Sequence, residues 1–210
     1  MTGDVKRRYD ASRRQEQARE NRRRVLDAAR RLFLERGYAD AAMPEIAKAA
    51  GVSVQTVYKT FANKATLLKA VFDVSVAGDD EPVPMAERDV IAAIQAEPDA
   101  ARKITMYLEH FAQTAPRTVP LQLLARDAAG ADHAAADVWA QMRREMLTAM
   151  TYFSADLAAT GQLRVAQEEA RDILWTCHSP EVYELLVLER GWPVERYGRF
   201  LTDTVISALL

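Results

Sequence analysis

The chain has 210 residues, 49% of them hydrophobic and 28% charged, with 28 Lys and Arg against 30 Asp and Glu for a formal net charge of −2. That balance excludes a disordered or fibrous chain, no apolar run approaches the ~18 residues of a membrane span, and the single cysteine, Cys177, excludes an intramolecular disulfide framework and a multi-cysteine zinc site. The charged N-terminus has no apolar stretch behind it, so a cytoplasmic location without a membrane partner is expected.

The charge is unevenly spread. Residues 1–72 carry 16 Lys and Arg against 8 Asp and Glu, and residues 73–210 carry 12 against 22. A basic segment on an acidic body suggests two tasks, the first facing a polyanion and the second kept off it. Residues 1–18 read as a flexible basic arm, either a solvated tail or a source of extra phosphate contacts from Arg13 and Arg14, with Arg19, Arg22 and Arg23 following. Val25, Ala28, Ala29, Leu32 and Phe33 recur at helical spacing. Asn21 is a candidate cap for that helix, and Gly37 a candidate stop.

Residues 44–61, PEIAKAAGVSVQTVYKTF, hold most of the functional signal. Ile46, Ala47 and Ala50 give a short helix an apolar face. Gly51 suits a tight turn with positive φ. Val52 plugs the junction, and Ser53 suits an N-cap. Val57 and Phe61 face inward, four residues apart. Val54, Gln55, Thr56, Tyr58, Lys59 and Thr60 are left on or near the outer face. This is a helix-turn-helix pattern, although an ordinary corner between two helices shares it. Gln offers a donor–acceptor pair to a base edge and Val a methyl contact to thymine. Thr, Tyr and Lys suit phosphates. Asn63 reads as the cap of the next helix, whose amide end with the Lys64 ammonium would suit one DNA phosphate.

Over residues 22–73 the chain resembles the DNA-binding region of the TetR family of transcriptional regulators. The resemblance rests on Gly37-Tyr38, IAKAAGVS, TVYKTF and Lys64-x-x-Leu67-Leu68. More loosely it covers the remainder, most clearly LLVLERGWPVERYGRFLTDTV. It implies a homodimeric one-component regulator, usually a repressor, released from double-stranded DNA by a small molecule. By position it carries the family's DNA-contacting role to Ser53, Val54, Gln55, Thr56, Tyr58, Lys59, Thr60 and Lys64, with Arg22 as a further candidate. Two departures stand out. Ala41-Ala42 replaces the usual Thr-Thr, whose hydroxyls cap the following helix, with Asp40 as a possible substitute. Thr60 replaces the usual His or Tyr.

Residues 78–84, GDDEPVP, read as a linker. The sequence then predicts helices over 85–97 and 98–115, a turn bracketed by Pro116 and Pro120 into another ending near Gly130, and a long helix over 132–160. Two more follow over 167–178 and 180–190, the second opened by Ser179-Pro180, and a last helix runs over 193–209. No segment shows strand alternation. The expected fold is all-α: a three-helix head over 19–77, then a larger helical domain over 85–210 for effector binding and dimerisation.

In that second domain Met106, Tyr107, His110 and Phe111 lie on one helix, and Trp139, Met142, Met146, Met150 and Phe153 stripe another. Adjustable Met beside flat aromatics suits an apolar ligand cavity, although plain core packing gives the same spacing. His110, Gln122, Arg126 and Trp175 are the polar candidates to orient a ligand. The acidic body favours a neutral or cationic one. The last two helices, with Val182, Leu185 and Leu186 and then Tyr197, Phe200, Leu201 and Val205, are the candidate homodimer interface. Cys177-His178 cannot act as nucleophile and base, because helical neighbours point about 100° apart. No catalytic motif, metal site or cofactor is expected. The competing reading is a constitutive DNA-binding dimer with no effector.

Overall fold

The computed structural model describes residues 2–210, the side chains of residues 2–12 excepted. Among the described residues every regular element is helical. Helices α1 (Thr2–Asp40), α2 (Met43–Ala50), α3 (Val54–Phe61) and α4 (Lys64–Ala77) come first. A 3-10 turn (Met85–Glu87) leads to α5 (Asp89–Ala96), α6 (Ala100–Ala128), α7 (His133–Ala159) and α8 (Gln167–Cys177). A short α9 (Pro180–Tyr183) passes into a π-helical turn (Glu184–Glu189), and α10 (Val194–Leu209) ends the chain.

The chain divides into two compact units, Met1–Val74 with Leu124–Val138, and Ser75–Leu123 with Trp139–Leu210. The end of α6 and the start of α7, read from sequence as part of the second domain, thus belong to the first unit. In that unit Val25, Ala29, Leu32 and Phe33 of α1 are buried with Ile46 and Ala47 of α2, Val57 and Phe61 of α3, and Leu67, Leu68 and Val71 of α4. The second unit is built around Ile104, Leu108, Phe111, Ala115 and Val119 of α6, Met150, Phe153 and Leu157 of α7, Leu174 of α8, and Tyr197, Leu201 and Val205 of α10. Gly198 lets α10 approach α6 closely, since a Cβ there would lie 3.0 Å from the Ala112 Cβ.

Several sequence expectations need correction. The basic arm, expected as flexible, continues α1 as helix from Thr2, Arg, Gln, Glu and Ala being good helix formers. Asn21 therefore lies inside the helix and caps nothing; its Oδ1 accepts from Gln17 and Arg24. Gly37 does interrupt α1, at φ 79° and ψ 171°. Pro116 and Pro120 do not make a turn: both sit inside α6. Each removes an amide donor. Burial of Ala112, Ala115, Val119 and Leu123 on that stretch outweighs the loss, and the Thr114 and Thr118 hydroxyls add bonds back to the Phe111 and Thr114 carbonyls. The helix expected over 180–190 keeps α geometry only to Tyr183, and Ser179 makes no side-chain cap.

Candidate functional site

Helices α2 and α3 are joined by a turn that the sequence specifies locally. Gly51 adopts φ 65° and ψ 36° and its amide donates to the Ala47 and Lys48 carbonyls. The Val52 amide donates to the same Ala47 carbonyl at 3.1 Å. Ser53 then caps α3, its Oγ accepting from the Thr56 amide at 3.1 Å and lying 2.8 Å from Thr56 Oγ1. At the start of α2 the expected departure costs a bond: Ala42 stands at the N-cap with no side-chain acceptor, and Asp40 does not substitute.

Val57 and Phe61 are fully buried, which fixes the rotation of α3 about its axis. Ser53, Gln55, Tyr58, Lys59 and Thr60 are consequently exposed, with Val54 and Thr56 half-buried. Tyr58 keeps 48% of its surface, unusual for so large a ring. Thr60 Oγ1 donates to the Thr56 carbonyl at 2.9 Å, so this hydroxyl is committed to its own helix. Gln55, Tyr58 and Lys59 remain as an outward amide, phenol and ammonium on one short helix. Arg22, half-buried on α1, holds its guanidinium 5.0 Å from the centre of the Phe61 ring.

Asn63 caps α4 as expected, its Oδ1 accepting from the Thr66 amide at 2.8 Å. Lys64 departs from expectation. Its Nζ donates to the Tyr38 and Ala39 carbonyls at 2.7 and 3.1 Å and lies 4.3 Å above the Tyr38 ring. Those carbonyls end α1 and carry the negative pole of the helix, which attracts an ammonium. Lys64 is therefore first a clamp between α1 and α4.

Of the residues expected to line a ligand pocket, most gather in the second unit. Phe111 belongs to its core, and Met106, Tyr107, Met146 and Trp175 pack against that core half-buried. Met142 and Gln122 are buried and His110 is half-buried. Burial, with the nearby Arg117 charge, pushes the His110 imidazole below its ordinary pKa. Trp139 and Trp175 share one guanidinium, that of Arg143, at 5.9 and 5.3 Å from their ring centres. Arg126 stands apart. It lies in the first unit and pairs with Asp127 at 3.0 Å.

Of the stripe read from sequence as a dimer interface, Tyr197, Leu201 and Val205 are instead buried in this core, and so is His178, which sequence reasoning considered only beside Cys177. The His178 ring lies 3.6 Å from that of Phe111 and 5.8 Å from that of Tyr107, centre to centre. Tyr197 lies 6.4 Å from Phe111 and 5.3 Å from Tyr183. Among the described residues, His178 Nδ1 and Tyr197 Oη have no hydrogen-bond partner. No sequence signal brought His178 and Tyr197 together, since a single His or Tyr on an apolar stripe does not show what it packs against. Among the described residues, no group of three or more metal-ligating side chains gathers and no helix is long and apolar enough to cross a membrane.

Residues 25–71 match the model of the bacterial regulatory proteins of the tetR family. The HTH-type transcriptional regulator TtgR of Pseudomonas putida is 41% identical over 58 residues, 28% of each chain. AcrR of Shigella flexneri is 38% identical over 60 residues, 29% of this chain and 28% of its own. The similarity thus spans little more than a quarter of these relatives. The fold extends much further. FadR of Bacillus subtilis, solved with stearoyl-CoA, superposes with a TM-score of 0.69 at 19% identity, over 89% of this chain and 98% of that one. A Gly51 turn, a Ser53-capped α3 and an outward Gln55-Tyr58-Lys59 face, within a segment matching those regulators, give residues 25–71 the features of the DNA-binding region of tetR-family transcriptional regulators.

Proposed function

We propose that this regulator is a homodimeric, one-component repressor that seats α3 of each protomer in successive major grooves of a palindromic operator. In this reading residues 19–77 bind DNA, and the helices after the linker carry dimerisation and the site of a small, largely apolar effector that releases the operator. The observation that carries it is the fixed rotation of α3. Burial of Val57 and Phe61 leaves Gln55 for base edges and Tyr58, Lys59 and Ser53 for phosphates. The basic first third of the chain supplies the long-range attraction.

The proposed dimer surface is the π-helical turn and α10. Leu185 and Leu188 keep 54% and 53% of their surface and Phe200 keeps 40%. Trp192 meets Phe200 edge-on at 5.6 Å, with the Arg196 guanidinium 3.8 Å over its ring. An exposed patch of Leu and Phe with a Trp–Arg stack suits a second copy. Pairing would also supply the two half-sites that a helix-turn-helix dimer reads. An effector is favoured over a constitutive dimer by the under-satisfied polar core described above, and by the stearoyl-CoA held in a protein of the same fold.

Selection of bound fragments from a random duplex pool, followed by mobility shift across salt, tests the DNA reading. An enriched palindrome whose log affinity falls steeply with log salt is expected. A slope near zero, or an enriched site without two-fold symmetry, overturns it.

A further inference from the structure

Two polar groups in the core of the second unit are unsatisfied, and a third, on a half-buried ring packed against it, is poorly satisfied. His178 and Tyr197 have orphaned atoms, Nδ1 and Oη. The Tyr107 hydroxyl has only the Met150 sulfur, at 4.0 Å. Buried polar atoms are nearly always hydrogen-bonded, because leaving one bare forfeits its bond to water without return. One orphan is unremarkable in a domain. Here the rings that carry these groups are linked through one aromatic cluster. Tyr107 approaches His178, His178 lies tilted against Phe111, and Phe111 leads to Tyr197. Phe153 flanks Tyr107 at 4.5 Å and Tyr183 flanks Tyr197. Flat apolar walls with a few convergent donors and acceptors are what an oriented small-molecule site needs.

Resting on the effector half of the function proposed above, we infer that His178, Tyr197 and Tyr107 recognise the effector, an uncharged planar molecule with a hydroxyl or carbonyl group, held against the aromatic cluster that these side chains share. The imidazole offers a neutral acceptor or donor at Nδ1, and each phenol one donor. None brings a formal charge. Burial lowers the His178 pKa to about 3, so this ring supplies no cation to balance a carboxylate. Burial likewise pushes both phenols up, so none supplies an anion to hold an ammonium. A charged ligand would therefore lose its hydration without compensation.

Calorimetric titration of the full chain, in the absence of DNA, tests this with one- to three-ring phenols, their unsubstituted arenes and the matching aryl carboxylates. At least one phenol is expected to bind about tenfold more tightly than its arene, the span of one good hydrogen bond, and no carboxylate is expected to bind as tightly. Tyr197→Phe and His178→Phe should each erase most of the phenol's advantage while leaving arene binding in place. Tyr197→Phe removes only a bare hydroxyl, so its melting temperature without ligand should be unchanged or higher; a role confined to folding predicts a lower one. No phenol preference, equal binding of carboxylates, or unchanged phenol binding in both variants overturns the assignment. Because DNA is absent, a failure here leaves the operator result standing, and a failure of DNA binding leaves this one standing.

Discussion

The Tyr38 hydroxyl donates to Asp132 Oδ2 across 2.8 Å, tying the end of α1 to the residue that starts α7. The other Asp132 oxygen accepts from the Ala134 and Ala135 amides at 2.8 and 3.2 Å, the N-cap of that helix. One carboxylate thus fixes two elements 94 residues apart in sequence. The Tyr38 hydrogen bond holds the Asp132 pKa below its ordinary value, while burial, with the hydrogen bond and charge of Asp132, pushes the phenol up.

Tyr38→Phe should lower stability by about 1 kcal/mol, since Asp132 is partly open to solvent and a hydrogen bond to a charged group is then worth its lower range. The loss should depend on pH. A carboxylate whose folded pKa is depressed stabilises fully above its unfolded value, and that contribution fades as pH falls through the folded one. Thermal melts of wild type and variant should therefore differ at neutral pH and converge in acid. A constant gap across the whole range would exclude the Tyr38–Asp132 bond as its origin.

Lys64 and Lys59 should separate as variants. Lys64 clamps the carbonyl end of α1, so Lys64→Ala should lower the melting temperature of the free protein as well as weakening DNA binding. Lys59, exposed on α3, should leave stability unchanged on mutation to Ala and reduce the salt slope by about 1. Gln55→Ala should relax preference at one base pair per half-site, by about 1–3 kcal/mol. Mobility shifts on matched and mismatched duplexes, beside thermal melts, distinguish the three. If Lys64→Ala melted like wild type, the clamp would contribute nothing.

How legible these features were follows from how local their causes are. The α2–α3 turn was readable because Gly51 and Ser53 each act through their own backbone, and Val57 with Phe61 set the rotation of α3 within eight residues. The course of α6 was not, because Pro116 and Pro120 are strong local stop signals overridden by burial of Ala115 and Val119 against residues distant in sequence. Lys64 was placed on the right helix end, but its carbonyl partners lie 25 and 26 residues away and no spacing rule points to them. His178 and Tyr197 were invisible as a pair for the same reason. Their shared environment exists only once α8 and α10 meet.

Ala62, between α3 and α4, adopts φ 57° and ψ −53°, an arrangement that favours glycine. A side chain in such a region costs on the order of 1–3 kcal/mol. Replacement by glycine would relieve that at the expense of ~0.4–1 kcal/mol of unfolded-chain entropy. Ala62→Gly should raise stability by about 1 kcal/mol in denaturant titration, without changing the exposed face of α3. A destabilised variant would mean that the Ala62 methyl contributes packing worth more than the strain.

His178 gives the second unit a pH dependence of its own. Its unfolded imidazole titrates near 6.5 and its buried one near 3, so between those values the unfolded chain binds a proton that the folded chain refuses. Stability is complete above pH 6.5 and is lost as the pH falls toward 3, with a slope of about 1.4 kcal/mol per pH unit from this one group. His178→Phe removes that proton. The variant should lose less stability than wild type between pH 6.5 and pH 4, and the gap between the two should widen steadily as the solution is acidified. Parallel pH–stability curves over that window would mean that His178 is protonated in the folded chain, and that the core around Phe111 and Tyr197 is wetter than its burial indicates.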